Sequence, residues 1–265
     1  GPLGATPRLK STARGPAVWL LDLDGVLTDT AAIHVEAWKA VFDAFLSTTG
    51  MGPEASRPFD PVDDYVAYVD GKPHADGVRD FLASRGIVLP EGRTSSDRAM
   101  ASVESLARTK NDLYLQLLAT RGARLFDGSL ELLDALRAAG RRIAVVSASE
   151  NCGAVLAAAG IADRFDAQVD GVAAKEHHLR GKPAPDSYLF AAHALAASPD
   201  EAAVVEDAVS GVVAGRSGHF GLVVGVARIA TPGELRAAGA DIVVADLAEL
   251  LDPGAAADAV GGTSP

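Results

Sequence analysis

Cysteine is nearly absent: Cys152 is the only one in 265 residues. No disulfide can form within the chain, and a reducing, cytoplasmic setting is expected. Basic residues are also short, with 24 Lys and Arg against 35 Asp and Glu and a formal net charge of -11. Nucleic-acid binding rests on clustered cations, so this balance argues against a phosphate-backbone partner. A small anion stays open as a ligand, because a few local cations outweigh a distant field of the wrong sign. No apolar run approaches the roughly 18 residues that cross a bilayer, so no membrane partner is expected. No signal peptide is expected before the first strand-like run, and no internal repeat is found. The opening Gly1-Pro2-Leu3-Gly4 lacks a methionine, reads as a protease-cleavage scar and is set aside.

Hydrophobic residues make up 48% of the chain, enough for a well-buried core. Unbroken apolar runs, the mark of strands buried on both faces, occur at Ala17–Leu21, Ile143–Val146, Ala202–Val205, Leu222–Val226 and Ile242–Val244. Helix-like segments lie among them at Gly128–Ala139, Cys152–Ala159, Asp186–Ala197, Val209–Ser217 and Pro232–Ala238. Strand alternating with helix predicts an α/β fold, a doubly wound parallel sheet. Residues 31–120 break that rhythm. They carry helical periodicity at Val35, Trp38, Val41, Phe42 and Phe45, then at Met100, Val103, Leu106, Leu113 and Leu117, with a Gly, Pro, Ser and Thr loop at Thr48–Pro61. The expected organisation is a flexible start at 1–16, a core at 17–30 and 121–252, a helical insert at 31–120 and a flexible tail at 253–265.

Polar groups collect where the apolar runs end: Asp22 and Asp24, Ser147, then Glu206 and Asp207. In an open parallel sheet those ends share one edge, where ligands bind at the reversal of strand order. Polar residues follow strands in any case, but turns favour Gly, Pro, Asn or Ser over grouped carboxylates. Carboxylates held together demand a cation, and an oxygen-only set with no nearby His or Cys selects Mg²⁺ before Zn²⁺. An EF-hand reading of Asp22-Leu23-Asp24-Gly25 fails, because the glycine comes too early and a strand leads in. Lys182, between Gly181 and Pro183, adds an ammonium on a stiff turn. Cys152 reads as a packing residue and His177-His178 as a solvated pair.

Together, Asp22-Leu23-Asp24-Gly25-Val26-Leu27-Thr28-Asp29-Thr30, Ser147, Lys182 and Glu206-Asp207 resemble the four ordered motifs of the haloacid-dehalogenase-like (HAD) superfamily. The likeness spans Trp19 to Leu251 and is nearest to its β-phosphoglucomutase-like branch, which carries a helical cap after the first motif. His34, Trp38, Gly71, Lys110-Asn111-Asp112, Ser147-Ala148-Ser149 with Asn151, and Lys182-Pro183-Ala184-Pro185-Asp186 extend it. The resemblance implies a HAD-like, Rossmannoid core. It implies Asp22 as nucleophile on phosphorus, Asp24 as general acid/base, and Ser147 and Lys182 on the transferring phosphoryl group. Mg²⁺ would be held by Asp22, the Asp24 backbone carbonyl, Glu206 and Asp207. Substrate would be met by His34, Trp38, Gly71, Lys72, His74, Lys110, Ala148, Ser149 and Asn151, with His34 and Lys110 coupling the cap to Asp24.

Two positions depart from that branch. His74 stands where an arginine would grip substrate phosphate, and neutral imidazole cannot replace a bidentate guanidinium. Glu150 stands where a lysine is expected, and a carboxylate repels a second phosphate. Lys72, Arg79 and Arg85 are the available replacements. A mutase must hold two phosphates, so the expectation tilts to a phosphatase acting on a small phosphorylated metabolite, a sugar phosphate, with a sugar phosphomutase as the alternative. A non-catalytic phosphate-binding regulatory module is disfavoured by the intact site, and a dehalogenase by the second aspartate and the acidic pair. A monomer is expected.

Overall fold

The computed structural model describes residues 7–92 and 101–252; Gly1–Gly4, Met100 and the tail from Pro253 lie outside the described residues. In chain order the elements are β1 (Arg8–Leu9), β2 (Val18–Leu21), α1 (Ala31–Leu46), a π-helical turn at Tyr65–Val69, α2 (His74–Ser84), α3 (Val103–Arg121), α4 (Asp127–Ala138), β3 (Arg142–Val146), α5 (Cys152–Ala158), β4 (Ala167–Val169), α6 (Gly171–Glu176), α7 (Asp186–Ala194), β5 (Ala202–Glu206), α8 (Val209–Ser217), β6 (Leu222–Val226), α9 (Pro232–Ala238), β7 (Ile242–Val244) and β8 (Leu251–Asp252).

Six strands form one parallel sheet in the order β4-β3-β2-β5-β6-β7. The runs are apolar throughout because both faces are covered. Val18, Leu20, Ala144, Val146, Ala202 and Val204 enter one core, while Trp19, Leu21, Ile143, Val145, Ala203 and Val205 enter the other. The chain leaves central β2 toward β3 and β4 and later returns on its other side as β5, so the strand order reverses beside β2. Leu21 is level with Val145 and with Val205, which sets Asp22, Ser147 and Glu206-Asp207 at adjacent strand tips.

Helices α1, α2 and α3, between β2 and β3, form a cap with its own core, while α4 packs on the sheet. Trp38, Val41, Phe42, Phe59, Phe81 and Leu82 are buried there together, and Phe42 packs 4.2 Å from Phe81 between ring centres. Phe42 is thus a packing residue, as its periodicity predicts, while Thr48–Pro61 carries turns without a helix or strand.

The structure corrects several boundaries. Residues 8–13, expected to be flexible, pair with the far end of the chain: β1 runs antiparallel to β8, with Leu9 and Ala13 buried. Strand β4 and helix α6 were not expected, since three and six residues are too short to show a period. Lys175 sits on α6. Helix α7 stops at Ala194, three residues early, as Ala196 turns to a φ of 51°.

Candidate active site

Asp22 continues β2, and its backbone N–H still donates to Val205 O at 3.0 Å, so the sheet ladder fixes the residue. The chain then turns at Gly25, which has a φ of 77°. A Cβ at Gly25 would fall 1.8 Å from Asp207 Oδ2, so the glycine also lets Asp207 close on the turn. Arg228 Nε donates to Gly25 O at 2.9 Å and braces the turn from behind.

Lys182 reaches Asp22 from the loop before α7. Its Nζ donates to Asp22 Oδ1 at 2.8 Å and also to Glu206 Oε1, which in turn accepts from Tyr188 Oη at 2.6 Å. All four side chains are buried. Burial lowers Lys182, but Asp22 and then Glu206 outweigh it and push the ammonium above the ordinary lysine range. Burial, then Glu206, raises the Asp22 carboxyl well above its ordinary value, against the pull of Lys182. Asp207 is raised likewise by burial, Asp70 and Asp22.

Oxygen atoms of Asp22, Glu206 and Asp207 all lie within 4.8 Å of one another. Three crowded, buried carboxylates facing one lysine, with no nitrogen or sulfur donor among them, fit a hard divalent cation such as Mg²⁺. Glu206 is the most committed of the three, since Lys182, Tyr188 and the Ala208 N–H (3.3 Å) already draw on it. The Asp24 carboxylate stands outside that trio. It accepts from Thr30 Oγ1, and His34 Nε2 lies 3.2 Å from its Oδ1. Burial would raise Asp24, but His34, Thr30 and Lys110 together hold it at about 2, so it is ionised.

Around Asp24 the cap half presents nitrogen bases. Helices α1 and α3 pack side by side and bring His34 and Lys110 together from 76 residues apart. Lys110 Nζ sits 2.6 Å from His34 Nδ1 and 3.0 Å from His74 Nε2, with the Trp38 and Tyr114 rings 5.0 and 5.1 Å away. An ammonium can only donate, so both imidazole atoms accept; His34 then carries its proton on Nε2, toward Asp24. Lys110 is fully buried, and burial lowers it to about 7 against the pull of Asp24. Burial and Lys110 lower His34, and the same causes depress His74 further. His74 thus extends a buried chain from Asp24.

The two halves meet. Ser210 Oγ donates to the Asp70 carbonyl at 2.6 Å, and Asn151 Nδ2 to Asn111 Oδ1 at 2.8 Å. Gly71 lies so close to α8 that a Cβ would come within 2.8 Å of Ser210 Oγ. Between the halves a cavity of about 50 Å³, room for a few waters, is lined by Asp22, Asp24, Ser147, Ala148, Ser149 and Asp207 from the core, and by His34, Trp38, Gly71, Lys72, His74 and Lys110 from the cap. Ser149 N–H donates to Ser147 Oγ, and Asn151 N–H to Ser149 Oγ, both at 3.1 Å, so this loop is shaped by its own hydroxyls.

The predicted residues are therefore gathered in one place, with Asn151 at the margin. Tyr65 and Asp70 also line the cavity and were not singled out from the sequence; burial, then Glu206, pushes Asp70 up to about 7. Tyr188 and Tyr114 were missed as well. Tyr114 stacks on His34 at 4.0 Å, and its place four residues after Lys110 on one helix face was the available signal. None of the suggested cationic replacements is free: Lys72 pairs with Asp80 at 2.7 Å, Arg79 with Asp76 and Glu91, and Arg85 with Asp64 at 2.8 Å. Glu150 is instead paired with Lys175 of α6. Cys152 is a buried core residue whose thiol burial pushes up, and His177 packs on Phe190. Among the described residues no helix is long and apolar enough to cross a membrane.

A parallel doubly wound sheet, interrupted after its first long strand by a helical cap and carrying carboxylates at its central tips, is the architecture of capped haloacid dehalogenase-like proteins. The sequence profile of the haloacid dehalogenase-like hydrolases matches residues 17–219, and the chain belongs to that family. It is 54% identical over 240 residues to β-phosphoglucomutase of Mycobacterium tuberculosis, covering 88% of this chain and 90% of that protein. Hexitol phosphatase A of Escherichia coli is 29% identical over 203 residues, covering 74% of this chain and 77% of its own length. A crystal structure of β-phosphoglucomutase from Clostridium difficile shares the fold with a TM-score of 0.66 at 24% identity, over 89% of this chain and 93% of that one.

Proposed function

We propose that this protein transfers phosphoryl groups on sugar phosphates through a phosphorylated Asp22, with a sugar hydroxyl as acceptor, as in a β-phosphoglucomutase. The observation that carries the reading is Asp22 at the central strand tip, held at 2.8 Å by Lys182 within a buried carboxylate trio. The 54% identity to a β-phosphoglucomutase supports the substrate class. Asp22, Glu206 and Asp207, with the Asp24 backbone, would hold Mg²⁺, which when bound offsets the crowded negative charge.

In the transfer step the acceptor hydroxyl attacks phosphorus, its proton passes to the ionised Asp24, and the bond from phosphorus to Asp22 breaks. The reverse, with Asp24 returning the proton to the departing sugar oxygen, forms the aspartyl-phosphate. Lys182 neutralises charge on the phosphoryl oxygens, and Ser147 donates to one of them. His34, Lys110 and His74 orient the sugar from the cap, and His34 and Lys110, with Thr30, keep Asp24 ionised. The cavity has room for only a few waters, so a sugar phosphate needs more space between the halves than this arrangement gives.

The sequence alone favoured water as acceptor because Glu150 would repel a second phosphate. Its pairing with Lys175 weakens that objection. Water remains the second reading, favoured by His74 in place of an arginine and by the likeness to hexitol phosphatase A. Incubating the protein with Mg²⁺, β-glucose 1-phosphate and a bisphosphate primer, and scoring glucose 6-phosphate against free phosphate, separates the two. More isomer than phosphate is expected, with both lost on EDTA addition or in Asp22→Asn. Full turnover by Asp22→Asn ends either reading.

A further inference from the structure

The turn after β2 carries five consecutive carbonyls, Leu23 to Leu27, and four of them already accept hydrogen bonds. Leu23 O takes the Leu27 and Thr28 N–H groups at 2.8 and 3.0 Å. Gly25 O takes Arg228 Nε at 2.9 Å, Val26 O takes Ser129 Oγ at 2.6 Å, and Leu27 O takes the Phe126 N–H at 3.1 Å. Among the described residues Asp24 O takes none. Asp24 lines the cavity together with Asp22 and Asp207. An open carbonyl there suits the hard cation that the crowded carboxylates call for.

A metal ligand must be held still, yet this one adjoins the conformationally freest residue of the turn. Gly25 has a φ of 77° and no side chain to restrain it. The peptide plane before it contains Asp24 O and the Gly25 N–H, which donates to Thr28 O at 2.8 Å. That plane is rigid and trans, so fixing the N–H also fixes the direction of Asp24 O. The plane after it carries Gly25 O, held by Arg228. Arg228 lies in the loop between β6 and α9. Its Nη1 donates to Ala245 O at 3.0 Å, just past β7, and its guanidinium covers the Phe126 ring 3.7 Å from the ring centre. One planar fork thus ties the Gly25 peptide to a neighbouring strand tip. Its Nη2 stays buried without a partner, so the placement serves the two carbonyls rather than the guanidinium's own hydrogen bonding.

We propose that Arg228 is a positioning residue for the divalent cation: by tying the Gly25 peptide to the tip of β7, it keeps the open Asp24 carbonyl in place as a metal ligand. The inference rests on the Mg²⁺ site of the reading above and deepens it, naming what holds the one ligand that is not a carboxylate. Arg228 acts only through the turn. Ser129 holds the next carbonyl, one peptide further from Asp24, and has the smaller part.

Metal binding tests this without turnover. Mn²⁺, which shares the oxygen preference of Mg²⁺, would be titrated into wild type and variants, with the free ion counted by electron paramagnetic resonance. Arg228→Met is expected to weaken Mn²⁺ about 10-fold, the usual cost of losing a group that supports a ligand from behind. Arg228→Lys keeps the charge but not the planar fork, and should recover part of the affinity, leaving a loss of about three-fold. Ser129→Ala should weaken Mn²⁺ less than about two-fold. Thermal unfolding without metal identifies the folded variants, and Arg228→Lys carries the test should Arg228→Met not fold. Unchanged Mn²⁺ affinity in the folded Arg228 variants, or an equal loss in Ser129→Ala, overturns the inference and leaves the proposed reaction standing. A wild type that binds no Mn²⁺ overturns both.

Discussion

Two lysines are buried in the same cleft, one in each half, and they face opposite electrostatic surroundings. Lys182, in the core half, touches Asp22 and Glu206 and is driven above the ordinary lysine range. Lys110, in the cap half, touches two imidazoles and two aromatic faces and is lowered to about 7. Burial penalises both charges alike, and the partner decides the outcome. The core half is therefore a fixed charge centre suited to a phosphoryl group. The cap half is nearly neutral and titratable, suited to hydroxyls that differ between substrates. Asp24 lies where the two meet, within reach of His34 from the cap and hydrogen-bonded to Thr30 at the end of the first motif.

The sharpest way to break this contrast is Lys182→Met. It strands Asp22 and Glu206 as buried carboxylates, and loss of one partner of such a set costs about 3–5 kcal/mol. Denaturant unfolding is expected to show that loss, together with a fall in kcat of about 10³-fold or more. A variant with unchanged stability would mean that the core charges do not depend on this lysine. Asp24→Asn follows in size. It keeps shape but cannot take a proton, so kcat should fall about 10²–10⁴-fold while stability changes little. A loss confined to KM in steady-state kinetics would remove Asp24 from proton transfer.

The core half of this comparison was legible in the sequence and the cap half largely was not. Asp22, Glu206 and Asp207 announce themselves because unbroken apolar runs end on carboxylates, and a parallel sheet brings such ends to one edge. Lys182 was visible through its Gly and Pro neighbours, but the tyrosine that shares Glu206 with it was not, because Tyr188 reaches Glu206 only once α7 packs on the sheet. In the cap, His34 and Lys110 are joined by the crossing of α1 and α3, which no local period encodes; a family resemblance supplied that pair, and the geometry added His74 as its third member. Tyr65 and Asp70 escaped notice because the first opens and the second caps a π-helical turn with no regular signal. The Glu150–Lys175 pair was hidden because α6 is six residues long.

The finest test asks whether Lys110 really sits in the uncompensated surroundings drawn for it. Its folded-state value, about 7, lies below the ordinary 10.5. Below about pH 7 both folded and unfolded chains hold the proton, and the cost of burying the charge is felt in full. As pH rises from there toward 10.5, the folded protein sheds its proton first, binds fewer protons than the unfolded chain, and gains stability. Lys110→Met removes this dependence. Unfolding free energies of wild type and variant, compared from about pH 6.5 to about pH 9, should therefore shift in favour of wild type by on the order of 1–3 kcal/mol. The Lys182 ammonium, pushed above 10.5, stays charged across the same range and supplies no such slope. A wild-type-to-Lys110→Met difference that stays flat would place Lys110 beside a compensating anion and erase the contrast between the two halves.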